Sequence, residues 1–106
     1  TPELNVRWEP DASVPENLEE LAQAVFLEAL RNCEKHADPS RIDVRVGKAD
    51  SAFELEITND GIGGGSGGTG LGLRMLTLEA LQQDALVEFG RVGDDGWHVR
   101  MVGTAA

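Results

Sequence analysis

The sequence predicts an α+β domain, a two-layer sandwich in which helices cover one face of a mixed β-sheet. Two observations predict this class. Five short segments alternate apolar with polar residues, as half-buried strands do, and two longer segments repeat their apolar residues at helical spacing. These segments follow the order strand, helix, two strands, helix, two strands. With 106 residues, the chain is expected to form one domain, residues 1–106.

Each element has its own pattern along the chain. Residues 4–8 alternate and indicate the first strand. Ser13 and Glu16 have capping-box spacing, which predicts a helix that runs to about Ala37. The remaining elements are a hairpin at residues 42–46 and 53–57 with its turn at 47–51, a glycine-rich loop at 61–72, a helix at about 71–83, and a closing hairpin at 87–89 and 97–101 with its turn at 93–96.

Composition excludes several classes of protein. The net charge of −10 opposes binding to a phosphate backbone, so no nucleic-acid partner is expected. Cys33 is the single cysteine, which excludes an intramolecular disulfide, and its place on the apolar side of a helix predicts a core residue. The sequence contains no signal peptide and no apolar run long enough to cross a bilayer, which favours a cytoplasmic setting.

Four polar residues of the first helix, Glu28, Asn32, Lys35 and His36, are spaced four, three and one apart and therefore share one stripe. Asn oxygens suit Mg²⁺, and Lys35 can neutralise phosphate. Taken alone, the stripe is more typical of an ordinary solvated helix face. The neighbouring apolar stripe predicts the side that enters the core: Leu18, Ala22, Val25, Phe26, Ala29 and Cys33.

The loop at residues 61–72 holds eight of the chain's 13 glycines and leads into the second helix. Glycines allow the backbone to approach a ligand closely, and a helix N-terminus presents free N–H groups to an anion. The loop therefore predicts a phosphate-binding site. It differs from a Walker A loop because no Gly-Lys-Ser/Thr follows, and from a dinucleotide-binding fingerprint because it follows a hairpin strand.

Together these segments resemble the catalytic domain of sensor histidine kinases, of the GHKL or Bergerat type. Residues 28–37 are similar to the family's N box, residues 59–63 to its G1 box and residues 68–73 to its G2 box. The resemblance extends to the first strand and the closing hairpin, and is strongest to kinases that pair with NarL-type response regulators. It implies a Bergerat-type sandwich that binds ATP and Mg²⁺.

The resemblance also implies roles for individual residues. Asn32 would bind Mg²⁺ with the help of Glu28, and these two are the expected catalytic residues. Lys35 would contact phosphate, and His36 would lie near the nucleotide. The other positions expected to bind ATP belong to the two glycine-rich boxes: Asn59, Asp60, Gly61, Gly63, Gly68, Thr69, Gly70, Leu71 and Gly72.

The implied activity is transfer of the γ-phosphoryl group of ATP to a histidine on a separate phosphoacceptor and dimerisation domain of the same kinase. A NarL-type response regulator would act downstream. The chain is thus expected to be one part of a larger sensor kinase, whose other parts can be anchored in a membrane. Neither His36 nor His98 has the sequence context of the acceptor, so little phosphoryl transfer is expected from the chain alone.

One position departs from the family pattern. Asn59 stands where the family usually has an Asp that accepts a hydrogen bond from the adenine amino group. An amide can donate as well as accept, so Asn59 is expected to discriminate poorly between ATP and GTP unless a neighbour such as Asp60 fixes its orientation. Asn59→Asp is therefore expected to raise the preference for ATP about tenfold.

Two other functions stay open at this point. An anti-sigma-factor serine kinase shares the fold and similar boxes, although the first strand and the closing hairpin favour the histidine kinase. A degenerate domain that only docks to a partner is also compatible with Asn59. Copurification with a sigma factor would favour the first alternative, and absence of any ATP-dependent thermal shift would favour the second.

Overall fold

The computed structural model describes residues 1–61 and 71–105. These residues form five strands, two α-helices and one 3-10 turn, in the predicted order. The elements are β1 (Glu3–Trp8), the 3-10 turn (Glu16–Leu18), α1 (Glu19–His36), β2 (Arg41–Ala49), β3 (Ala52–Asn59), α2 (Leu71–Gln82), β4 (Ala85–Val92) and β5 (Gly96–Gly103). Neither of the two helices is both long and apolar enough to span a membrane.

The strands form one sheet in the order β1-β2-β3-β5-β4. β1 is parallel to β2, and every other pair is antiparallel. The parallel pair follows from the helix between its strands, because α1 returns the chain to the end of the sheet at which β1 began. The predicted mixed sheet is therefore confirmed.

One face of the sheet is apolar and the other is charged. On the apolar face, Val44, Ile57 and Val99 are in register across three strands and are almost fully buried. α1 contacts β3 and β5, while α2 contacts β4, so both helices cover this face. The α1 stripe predicted to enter the core does so, with Cys33 buried and Phe26 half-buried against it. The predicted α+β sandwich, with helices on one face, is confirmed.

The start of α1 differs from the prediction. No side-chain capping bond forms at the predicted Ser13–Glu16 box, and the chain instead enters α1 through the 3-10 turn, in which the Leu18 amide donates to the Pro15 carbonyl at 2.9 Å. The physical reason is packing, since the tight turn places Leu18 in the core with none of its surface exposed.

The first hairpin also differs from the prediction. Its strands are longer than expected, and the turn contains only Asp50 and Ser51, with Asp50 at a φ of +59°. Gly47, expected in the turn, lies inside β2. A Cβ there would come within about 2.6 Å of the side chains of Glu9 and Arg45, so Gly47 serves close packing on the charged face rather than a turn.

Candidate functional site

The polar stripe of α1 begins where the two helices touch. Glu28 is mostly buried there, with 17% of its side chain exposed, and its carboxylate accepts a hydrogen bond from Arg31 at 3.1 Å. The same carboxylate lies against Gly72 in the first turn of α2, where any Cβ would overlap it. A glycine at this position therefore allows a carboxylate of α1 to reach the N-terminal end of α2.

Asn32 lies one turn further along α1. Its Nδ2 is buried and has no hydrogen-bond partner in the described part of the chain. An unsatisfied buried polar group costs about 1–3 kcal/mol, so such groups are rare and commonly mark a place where something else binds. Cys33, the next residue, faces the core, and burial raises the pKa of its thiol, which makes it a packing residue rather than a nucleophile.

The last two residues of the stripe, Lys35 and His36, are exposed in the final turn of α1. Positive charge at a helix C-terminus is favourable because it complements the helix dipole. The stripe thus divides into a partly buried pair, Glu28 and Asn32, and a pair open to solvent. Within residues 1–61 and 71–105, no group of three His, Cys, Asp or Glu side chains is arranged to hold a metal ion.

Asn59 ends β3 on the face that carries the helices. It is 6% exposed and lies in register between Ile42 and Trp97 of the neighbouring strands. Its Nδ2 donates a 2.8 Å hydrogen bond to the backbone carbonyl of Asp60. This bond turns the amide nitrogen towards the main chain and gives the Asn59 side chain a defined orientation.

The side chain of Asp60 points to the corner between α1 and β2. Its carboxylate accepts hydrogen bonds from the Ser40 amide at 2.7 Å, from the Ser40 hydroxyl and from the Arg41 amide at 3.0 Å. These bonds, the one from the Ser40 hydroxyl above all, hold the pKa of Asp60 below its ordinary value. Asp60, predicted to bind ATP, therefore uses its carboxylate to anchor the loop at this corner.

Gly61 completes the anchored segment. Its φ is +82°, and a Cβ would collide with the backbone carbonyl of Asp38. The Asp38 amide in turn donates to the Gly61 carbonyl at 3.0 Å. Backbone conformation and close approach both require glycine here. The structure thus supports a loop-shaping role for Gly61.

The other glycine-box positions divide into two groups. Leu71 and Gly72 open α2. Four predicted ATP-binding positions lie outside the described residues: Gly63, Gly68, Thr69 and Gly70.

Two residues of the site were not predicted from sequence. Ser40 anchors Asp60, and no local pattern indicated this because the two residues are 20 positions apart. Trp97 lies beside Asn59 in the sheet, with its ring centroid 6.1 Å from that of Phe89, and its Nε1 is buried without a hydrogen-bond partner among the described residues. Strand alternation predicts its inward face, but does not reveal an unpaired indole nitrogen.

A groove of about 690 Å³ runs between the two helices from the Glu28–Gly72 contact. Its apolar residues include Leu27 of α1 and Met75 and Leu78 of α2, which are about 60% exposed. The lining includes Glu28 and Gly72 but neither Asn32 nor Asn59, so the groove adjoins one end of the polar site.

Comparisons with known proteins agree with the fold. The histidine kinase domain of the blue-light activated histidine kinase EL346 from Erythrobacter litoralis superposes with a TM-score of 0.71, at 19% identity over 94% of this chain. The histidine kinase AdeS from Acinetobacter baumannii superposes with a TM-score of 0.69, at 14% identity over 98% of this chain. This chain shares the fold of these two proteins.

The likeness covers only part of those proteins. This chain spans about half their length, 50% of the first and 53% of the second. No protein-family model matches the sequence, and no curated protein matches it either. At such low identity the likeness establishes the fold, while the activity has to be argued from the site itself.

Proposed function

We propose that this chain is the ATP-binding catalytic domain of a two-component sensor histidine kinase. It would supply the γ-phosphoryl group of Mg·ATP to a histidine on a separate phosphoacceptor and dimerisation domain of the same kinase, in the cytoplasm, with a NarL-type response regulator downstream. The observation that carries the proposal is the buried, unpaired Nδ2 donor of Asn32, at the position that the resemblance assigns to the N box. A phosphate oxygen that accepts a hydrogen bond from this donor would remove the cost of leaving it unpaired.

Phosphoryl transfer depends mainly on positioning and charge neutralisation. The Oδ1 atom of Asn32 and the carboxylate of Glu28, one helical turn away, fit the oxygen-donor chemistry of Mg²⁺, which would neutralise the triphosphate when bound. Lys35 and His36 are open to solvent and can meet the phosphates. The glycine-rich segment that leads into α2 would surround the phosphates, and Gly61 would shape the base pocket beside Asn59.

The charge of the chain is consistent with a cation at the site. A chain with a net charge of −10, and with the Glu28 carboxylate at the start of α2, repels a triphosphate. A divalent cation would offset this repulsion, so nucleotide binding is expected to depend strongly on Mg²⁺.

Calorimetric titration with a non-hydrolysable ATP analogue, with and without Mg²⁺, tests the proposal. Asn32→Ala should weaken Mg-dependent binding about tenfold, the equivalent of about 1.4 kcal/mol. The free energy of unfolding should change little, because the substitution also removes an unsatisfied buried donor. Asn5→Ala is the matched control, since Asn5 is exposed on β1, where its side chain donates a hydrogen bond to Asp43 at 3.1 Å.

Two outcomes of this titration would reject the proposal. One is absence of binding to the parent protein, and the other is unchanged Mg-dependent affinity in Asn32→Ala.

The exposed apolar groove between α1 and α2 favours a second candidate function, a docking module that binds no nucleotide. Absence of ATP-dependent heat from the parent protein would favour that candidate.

A further inference from the structure

The orientation of the Asn59 amide decides which base it can recognise. Adenine presents a donor at N6, whereas guanine presents an acceptor at O6, so an amide oxygen matches adenine and an amide nitrogen matches guanine. In this structure the Asn59 nitrogen already donates to the Asp60 carbonyl at 2.8 Å. The side-chain oxygen is therefore directed away from that carbonyl, as the acceptor that a base would meet.

The carbonyl that holds Asn59 is itself fixed. The Asp60 carboxylate takes three hydrogen bonds from Ser40 and Arg41, and the Asp60 amide donates to the Arg41 carbonyl at 3.4 Å. On the other side, the Gly61 carbonyl accepts from Asp38 at 3.0 Å. Hydrogen bonds to residues 38–41 therefore hold the chain on both sides of the Asp60 carbonyl.

We propose that Asp60 and Ser40 are positioning residues that hold the Asn59 amide in the orientation selecting adenine over guanine. This inference rests on the proposed nucleotide-binding function. To accept guanine, the amide would have to turn over, which breaks its bond to Asp60 and sets its oxygen against that carbonyl. Turning therefore costs one matched hydrogen bond and leaves two acceptors facing each other, and selectivity for ATP over GTP should be on the order of tenfold.

This orientation reverses the expectation for Asn59→Asp. A freely turning amide would gain about tenfold in ATP preference from that substitution. An amide already fixed as an acceptor gains little, because the carboxylate presents the same kind of atom to the base. The ATP/GTP ratio of Asn59→Asp should therefore stay within about threefold of the parent ratio.

The test is competition of ATP and of GTP against a fluorescent ATP analogue, in the parent and three variants. Asp60→Ala removes all three side-chain bonds and should lower the ATP/GTP ratio several-fold, mainly by improving GTP binding. Asp60→Asn should retain the parent ratio, since its oxygen can accept from the Ser40 and Arg41 amides and its nitrogen can donate to the Ser40 hydroxyl. The third variant is Asn59→Asp, with the expectation given above.

The outcomes separate this inference from the proposed function. A parent protein that binds ATP but gives an ATP/GTP ratio near one overturns the inference alone. Equal weakening of both nucleotides in Asp60→Ala also overturns it, because that pattern belongs to general loss of structure. A tenfold rise in the Asn59→Asp ratio overturns it without any need for Asp60→Ala to fold. A parent that binds neither nucleotide overturns both proposals.

Discussion

At the scale of single residues, two glycines with positive φ allow the cost of backbone strain to be measured apart from the cost of a steric collision. Gly61 has a φ of +82° and Gly93 a φ of +64°, but only Gly61 has atoms in the path of a Cβ, namely the Asp38 carbonyl group. A left-handed conformation costs a side-chain-bearing residue about 1–2 kcal/mol, and overpacking adds about 1–3 kcal/mol. Gly61→Ala should therefore destabilise the fold by about 3 kcal/mol, and Gly93→Ala by about 1 kcal/mol.

Urea denaturation of the two variants measures this difference directly. Gly93→Ala is the matched control, because Gly93 also has a positive φ but has no atoms in the path of a Cβ. Equal losses in the two variants would mean that the Asp38–Gly61 contact yields to a methyl group. The anchored loop beside Asn59 would then be less rigid than its hydrogen bonds indicate.

At the scale of elements, Gly72 makes room for the Glu28 carboxylate where α1 meets α2. A Cβ on Gly72 would displace the Glu28 carboxylate, which is the end of a flexible side chain, so the helices can keep their positions. Alanine also favours a helix over glycine by about 1 kcal/mol, which offsets the strain. Gly72→Ala should thus leave stability within about 1 kcal/mol of the parent and weaken Mg·ATP binding by moving Glu28.

Calorimetry and thermal denaturation of the same samples check this separation. Gly90→Ala is the control, because a Cβ there meets nothing within 4 Å, and its Mg·ATP affinity should match the parent value. Full Mg·ATP affinity in Gly72→Ala would exclude a role for Glu28 at the metal.

The elements also show what sequence patterns can predict. Alternation placed all five strands, and in the central strands β2, β3 and β5 it reflects the burial of one sheet face by the helices. β1 alternates in the same way although all of its residues are exposed. The predictions of a Ser13–Glu16 cap and of a turn at residues 47–51 were wrong. Burial of Leu18 decides how α1 begins, and packing of the Glu9 side chain over Gly47 decides the position of that glycine. Both contacts form only in the folded chain. The same limit applies to the site: sequence placed Asn59 at the end of β3, but the partner of Asp60, Ser40, lies 20 residues away.

At the scale of the whole molecule, charged residues connect four strands, β2 to β5, and the segment after β1 across the face that the helices leave uncovered. Glu54 is the centre, with 8% of its side chain exposed and with both Arg45 of β2 and Arg100 of β5 bonded to it. Arg45 also reaches Glu9 at 2.7 Å, and Arg100 reaches Glu88 of β4 at 3.2 Å. Burial opposes ionisation of Glu54, yet the hydrogen bonds from the two arginines hold its pKa below the ordinary value.

This network predicts a pH-dependent contribution to stability. Because the pKa of Glu54 is lower in the folded chain than in the unfolded chain, its contribution is fully present above the ordinary value of 4.5 and is lost as the pH falls through the folded value. At pH 7, Glu54→Gln should cost about 2 kcal/mol, since hydrogen bonds to charged groups contribute about 1.5–3 kcal/mol. Urea denaturation of parent and variant should show that difference shrinking below about pH 4.

Glu88→Gln is the matched control for Glu54→Gln. Glu88 bonds to the same Arg100, but 57% of its side chain is exposed. An exposed ion pair contributes about 0–1 kcal/mol, so this variant should lie close to the parent at every pH. A Glu54→Gln cost that stays constant from pH 7 to pH 3 would show that packing, rather than charge, makes Glu54 matter. If Glu54→Gln loses about 2 kcal/mol at pH 7 and this loss shrinks as the pH is lowered, the charge of Glu54 is what stabilises the fold. Arg45 and Arg100 would then hold the strands of the uncovered sheet face together through this carboxylate.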